Sequence, residues 1–178
     1  SRDPGTGLAR VRERLGNGPY AVRSSCRHED SRQGSNAGVF ASVLDVPPNV
    51  PAFVAAAKSV RDSYSALGVR SADTEQILVQ PMLKDVEMSG VICTRYRSSD
   101  SPYYVVNYDD RSRGTTGVTS GAGGRVVLLS RFTKEEDLRE WHPLVGAVRE
   151  IEQLFPRFPL EIEFVIDRDH QVFVLQCR

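Results

Sequence analysis

Residues 160–178 read LEIEFVIDRDHQVFVLQCR, two alternating runs flanking a short polar segment. Strand alternation puts Glu161, Glu163 and Val165 on one face and Leu160, Ile162, Phe164 and Ile166 on the other. A four-residue loop over 167–170 pairs Ile166 with Gln171 and sets Glu161 opposite Gln176. Val172, Val174, Gln176 and Arg178 then share the face of the two glutamates. One side of this hairpin becomes an apolar sheet surface, while the other gathers two carboxylates, an amide and a guanidinium. Like charges this close resist joint ionisation unless a cation sits between them. An oxygen-rich cluster beside an arginine suits Mg²⁺ together with phosphate. The alternative is an amphipathic edge hairpin whose charged face is simply solvated.

A second informative stretch, residues 20–46, reads YAVRSSCRHEDSRQGSNAGVFASVLDV. A short strand over 20–23 runs into a polar loop, and another strand begins near Gly38. Arg23 closes the apolar strand, so its head is expected at the strand's tip, where a guanidinium forks onto phosphate oxygens better than an ammonium does. Ser24, Ser25, Gly34, Ser35, Asn36 and Gly38 are small enough for backbone N–H groups to approach an anion. An ordinary surface loop has the same composition.

The chain has 178 residues, 40% hydrophobic and 26% charged, with 23 Lys+Arg balancing 23 Asp+Glu. That is enough for a sizeable core. The balanced charge provides no basic field for nucleic acid. No apolar run approaches membrane-spanning length and no signal peptide is visible, so neither a membrane nor a nucleic-acid partner is expected. Cys26, Cys93 and Cys177 are far apart, forming neither a metal spacing nor a disulfide framework, which fits a reducing, cytoplasmic location. Each reads as a small, partly buried residue.

Between these stretches the pattern predicts a short helix over 7–15 and a strand closed by Pro47-Pro48. A helix with the stripe Val50, Phe53, Val54, Ala57, Val60 and Tyr64 follows. Strands are expected over 76–81, 88–96, 102–108 and 125–130. Thr133 and Glu136 form a potential capping box for a helix reaching residue 154, which His142-Pro143 would kink or split. The expected class is α+β, with antiparallel sheets and a few packed helices.

Five motifs in order resemble the nucleotide-binding domain of the phosphoenolpyruvate synthase and pyruvate phosphate dikinase family, an ATP-grasp fold. They are A-V-R-S-S at 21–25 with Glu29 and Asp30, then Ala37-Gly38, V-Q-P-M at 79–82, S-G-V-I-C-T at 89–94, and I-E-F at 162–164 closing with L-Q-C-R at 175–178. Residues 103–121, YYVVNYDDRSRGTTGVTSG, replace the synthases' G-L-G-E stretch. That wording is similar to proteins of capsule and surface-polysaccharide clusters, which include an L-glutamine kinase.

The resemblance implies roles for individual residues. Arg23 looks like the arginine on the ATP phosphates. Gly38 and Ser42 match positions lying along the nucleotide. Gln80, Pro81 and Met82 resemble the hinge whose backbone hydrogen-bonds adenine, with Met82 as a soft apolar contact. Glu163 and Gln176 match the pair holding Mg²⁺, Glu161 stands where a second acid is often found, and Arg178 would face the polyphosphate. The implied cofactors are ATP and Mg²⁺. The implied reaction passes the β-phosphoryl of ATP to a histidine on a separate swivelling domain and then to a small-molecule acceptor, giving AMP and phosphate. An amino acid such as L-glutamine is among the acceptors.

The swivelling domain would belong to a longer chain or a partner subunit, since His28, His142 and His170 match no phosphohistidine pattern. His28 lies near Arg23 and is the one histidine with a claim on the nucleotide. The family carries an opening segment with a phosphate-binding lysine before A-V-R-S-S; here only residues 1–20 precede it, and Lys58, Lys84 and Lys134 lie elsewhere. The expectation is therefore part of one ATP-grasp domain over 1–178, inactive in isolation. Within residues 107–124, Asp109 and Asp110 are potential metal ligands, Thr115 and Thr116 phosphate contacts, and Gly121 to Gly124 a cover; Asn107 and Asp109 read equally well as part of a lid-like loop. Asp110, Arg111 and Arg113 read as solvated charge. A nucleotide-sensing module that does no chemistry, and a structural α+β domain, are the competing readings.

Overall fold

The first helix, α1 (Pro4–Leu15), starts where Asp3 adopts an extended backbone and its carboxylate accepts from the N–H groups of Gly5 and Thr6. Those donors have no partner inside the helix, so the cap supplies one. The Thr6 hydroxyl also donates to Asp3 at 2.6 Å. Together these bonds, the side-chain one first, hold the Asp3 carboxyl below its ordinary range. Gly16 ends the helix in a left-handed conformation, with φ of 81°.

The computed structural model describes residues 3–25, 41–66, 75–95, 102–110, 124–156 and 158–178. They form two compact units, Ser1–Leu83 and Lys84–Arg178. In the first, β1 (Tyr20–Ser25) lies between β2 (Ser42–Val46) and β3 (Gln76–Pro81), antiparallel to both. Helix α2 (Val50–Ala66) begins after Pro47-Pro48, where Asn49 Oδ1 accepts from Ala52 N. Leu8, Tyr20, Val22, Val46, Ala56, Val60 and Tyr64 form the core, with Phe53, Ile77 and Val79 packed against it. The α2 stripe is thus rotated from the expected one: Ala56, Val60 and Tyr64 are buried, whereas Val50 and Val54 are exposed. Tyr64 reaches across to accept from Ser25 N and donate to Gln76 O.

The second unit is a five-stranded antiparallel sheet in the order β6-β5-β4-β7-β8. Its strands are β4 (Val86–Cys93), β5 (Tyr103–Asp109), β6 (Arg125–Ser130), β7 (Glu161–Asp167) and β8 (Val172–Cys177). Helix α3 (His142–Leu154) packs Leu144, Val145 and Val148 against Ile92, Tyr104, Val106, Ile162 and Phe164 on one sheet face. Burying each large side chain contributes about 1.5–3 kcal/mol. Gly90 lies between Tyr108 and Phe164 on this face. A Cβ there would stand 2.4 Å from Asn107 O and 2.8 Å from Phe164 Cζ, so this position requires glycine.

The expected Thr133–Glu136 capping box does not form. Two 3₁₀ turns occupy Glu135–Asp137 and Arg139–Trp141, neither with a side-chain cap. Arg139, at φ of 52°, opens the second turn and breaks the chain direction between the first turn and α3, and Pro143 sits in the first turn of α3 rather than inside a longer helix. Proline fits a first turn because its missing N–H has no helical partner there.

Candidate functional site

The β7–β8 hairpin departs from the expected register. Asp167 N donates to Gln171 O and His170 N to Asp167 O, and the Asp167 carboxylate accepts from Asp169 N and Gln171 N. His170 takes φ of 59°, closing a tight loop without glycine. Ile166 therefore pairs with Val172, not Gln171, and Phe164 with Val174. Val172 and Val174 consequently lie on the face of Phe164 and Ile166, correcting their placement beside the glutamates.

An irregularity then intervenes between Glu163 and Phe164, where Leu175 is the extra residue of β8. A bulge changes which face the following residues take. Beyond it Glu163 stands opposite Gln176, and Glu161 exchanges both backbone hydrogen bonds with Arg178, at 2.8 and 2.9 Å. Glu161 thus faces Arg178 instead of Gln176. The two glutamates, Gln176 and Arg178 still share one face, reached by a turn offset followed by a bulge.

Arg178 draws this face together. Its Nη2 donates to Gln176 Oε1 at 2.9 Å, and its Nη1 lies 3.5 Å from Glu163 Oε1. The Arg178 and Glu163 side chains are each only 14% exposed, so solvent screens this ion pair less than a surface one. Val91 and Asn107 continue the Gln176–Glu163 row on the same face of β4 and β5. Asn107 is exposed and thus two strands from Glu163, about 10 Å by strand spacing. Asp109 lies one row further, opposite Ser89. Asp110 is paired with Arg125 at 2.6 Å rather than simply solvated.

A carboxylate and an amide oxygen are hard donors of the kind Mg²⁺ takes, with remaining positions left to phosphate and water. The donor set of Glu163 and Gln176 therefore fits that ion when a polyphosphate completes it. Among the described residues no group of three or more His, Cys, Asp or Glu side chains is placed to hold a metal unaided.

In the first unit Arg23 stands in one cross-strand row with Ser42 and Leu78, and Gln80 opposite Ala21 belongs to the same face. Strand β1 runs on to Ser25, so Arg23 projects from the sheet face rather than from the strand's tip. Pro81 ends the edge strand β3, and the Met82 N–H donates to Pro19 O at 2.9 Å. An adenine contact through that N–H would have to replace this bond, and Pro81 has no N–H to offer. Gly38 and His28, like residues 111–123, lie outside the described residues. His142 is exposed with Nε2 3.5 Å from Glu135, and His170 is exposed with Nδ1 3.7 Å from Glu87.

No protein-family profile matches the chain, and no curated protein matches it. Among solved structures it is similar to PH1788 from Pyrococcus horikoshii Ot3, at 13% identity and a TM-score of 0.54, covering 99% of this chain and 79% of that one. The fold is ATP-grasp-like. N5-carboxyaminoimidazole synthetase from Staphylococcus aureus also aligns, at 14% identity and a TM-score of 0.47 over 99% of this chain. The chain spans 37% of that synthetase's length. At these identities the ATP-grasp-like likeness is one of fold alone. Among the described residues no helix is long and apolar enough to cross a membrane.

A cleft on the opposite face of the second unit's sheet was not foreseen. It is lined by Arg95, Tyr104, Arg131, Arg149, Glu152 and Phe158 among others. These residues come from segments scattered over more than sixty positions, so no local motif announces them.

Proposed function

We propose that this chain is the ATP- and Mg²⁺-binding portion of an ATP-dependent phosphotransferase. The observation that carries the reading is the convergence of Glu163, Gln176 and Arg178 on one sheet face, within 2.9–3.5 Å of one another through the guanidinium. Glu163 and Gln176 would hold Mg²⁺, with Glu161 as an additional acid, and Arg178 would bind phosphate oxygens. When bound, the ion would offset the negative charge that shifts on the phosphates during transfer. Arg23 would orient the polyphosphate, and Ser42, Gly38 and residues 80–82 would contact the rest of the nucleotide.

The finer reading is dikinase-type. The β-phosphoryl of ATP would pass to a histidine on another domain and from there to a small-molecule acceptor such as an amino acid, L-glutamine included. The nucleotide would leave as AMP, and the γ-phosphoryl would pass either to water, giving phosphate, or to inorganic phosphate, giving pyrophosphate. Its support is the ordered set of five motifs, not the fold. ADP as the nucleotide product of the enzyme carrying this chain would remove the dikinase reading.

A second reading, a nucleotide-sensing module without chemistry, is favoured by the lysines. Lys58 pairs with Asp62 on an exposed helix surface, Lys84 is exposed, and Lys134 lies 3.8 Å from Glu136 with both side chains solvated. None of the three belongs to a polar sheet face described above.

Calorimetric titration of ATP with and without Mg²⁺, on the unaltered chain and on Glu163→Ala, tests the shared part of both readings. Binding that requires Mg²⁺ and weakens sharply in the variant is expected. Equal binding by both proteins would remove the hairpin from the site.

A further inference from the structure

We infer that the cleft between the end of α3 and the β4, β5 and β6 strand ends is a second ligand site, built for a small anion carried on a flat apolar body. It encloses about 450 Å³ and lies on the α3 side of the sheet, opposite the face bearing Glu163 and Arg178. Small-molecule sites commonly measure about 300–1,000 Å³ and combine apolar walls with a few convergent polar groups.

Both halves of that recipe are present. Phe155 and Phe158 are 46% and 62% exposed at the cleft, more than a core aromatic would be. Three guanidinium groups line it against a single carboxylate, Glu152. An excess of cations in a concave site focuses a positive potential.

The polar floor is held rigidly. Arg131 Nη2 donates to both Glu152 oxygens at 2.9 and 3.0 Å, and its Nη1 donates to Thr94 O at 2.8 Å. The Arg131 guanidinium also lies 4.6 Å over the Tyr104 ring, whose hydroxyl donates to Glu152 at 2.7 Å. Glu152 is thus spent on Arg131 and Tyr104, so it does not neutralise the remaining cations. Arg149 is anchored through Nη2 to the carbonyls of Arg131 and Thr133, and its Nη1 is 3.7 Å from the exposed Glu135. Arg95 is exposed and has no ion-pair partner among the described residues. Arg95 and the outer edge of Arg149 supply the anion contact, and the phenylalanines supply the wall for a ring.

Carboxylate and phosphate share this chemistry, and probes of each kind separate them. The test is amide NMR of the full chain titrated with phenyl phosphate, benzoate, inorganic phosphate and phenol. Saturable shifts confined to amides around Arg95, Tyr104, Gln153 and Phe158 are expected with a ring-bearing anion. Inorganic phosphate and phenol should bind more weakly, because each lacks half of the ligand. Arg95→Ala, at an exposed position, should weaken the better ring-bearing probe about tenfold, the size of one lost charge-assisted hydrogen bond. Phe158→Ala should weaken it too, while leaving inorganic phosphate unaffected. Shifts confined to the β7–β8 hairpin, no saturable shifts, or unchanged binding by Arg95→Ala would each overturn the site.

Discussion

Glu163 stands opposite Gln176 across the β7–β8 ladder only because β8 bulges at Leu175. The loop register alone would set Glu163 against Leu175 and turn Gln176 towards the α3 side. The bulge therefore brings a carboxylate and an amide to one face, and Arg178, three residues on, bonds the amide and lies beside the carboxylate.

This geometry predicts opposite effects from one substitution. The guanidinium draws on the same Glu163 and Gln176 oxygens that a divalent ion would use. Arg178→Ala should therefore raise the affinity for free Mn²⁺, read by electron paramagnetic resonance, while lowering affinity for the metal–ATP complex about tenfold or more. A fall in both affinities would mean that Arg178 serves to build the site rather than to share it.

Arg23 offers a test of side-chain shape. It projects from the sheet beside Ser42, in the three-stranded sheet of the first unit. Arg23→Lys keeps the charge but loses the planar fork that grips two phosphate oxygens at once. ATP binding should fall about tenfold in Arg23→Lys and no less in Arg23→Ala, as measured by calorimetry. Full binding by the lysine variant would reduce Arg23 to a point charge.

Much of the architecture was legible because alternation is a local property. The strands at Gln76–Pro81 and Arg125–Ser130 begin and end where the pattern places them. The shared face of Glu161, Glu163, Gln176 and Arg178 was also legible, although by a register that did not hold. What failed depends on backbone conformation or distant packing. His170 and Arg139 take left-handed φ values without being glycine, so neither the tight hairpin loop nor the break before α3 is signalled. The α2 stripe is selected by what β1, β2 and α1 present to it, which a helical wheel does not contain. The cleft around Arg131 joins residues that only the sheet order brings together.

Gly90 lets β4 pack closely between β5 and β7. An added methyl would meet Asn107 O on β5 and the Phe164 ring on β7 at distances that ordinary Cβ atoms do not show. Gly90→Ala should cost about 1–3 kcal/mol through overpacking, read as a lower urea midpoint with an unchanged slope. Phe164→Leu in the same chain should recover part of the loss, since the ring is one of the two obstacles. A neutral Gly90→Ala would show that the sheet opens easily at β4.

Tyr104 should leave its mark on the alkaline limb of stability. Burial, with the hydrogen bond to Glu152 next, raises its phenol above the ordinary value of 10.0. The unfolded chain thus releases this proton at lower pH than the folded chain does. The stability held by the neutral phenol is fully present below about pH 10, and it is lost as pH rises through the folded value. Tyr104→Phe should be less stable at neutral pH, having lost the bond to Glu152, yet should show a shallower decline above pH 10 in urea titrations. Parallel pH profiles for the two proteins would mean that Tyr104 titrates no differently folded than unfolded.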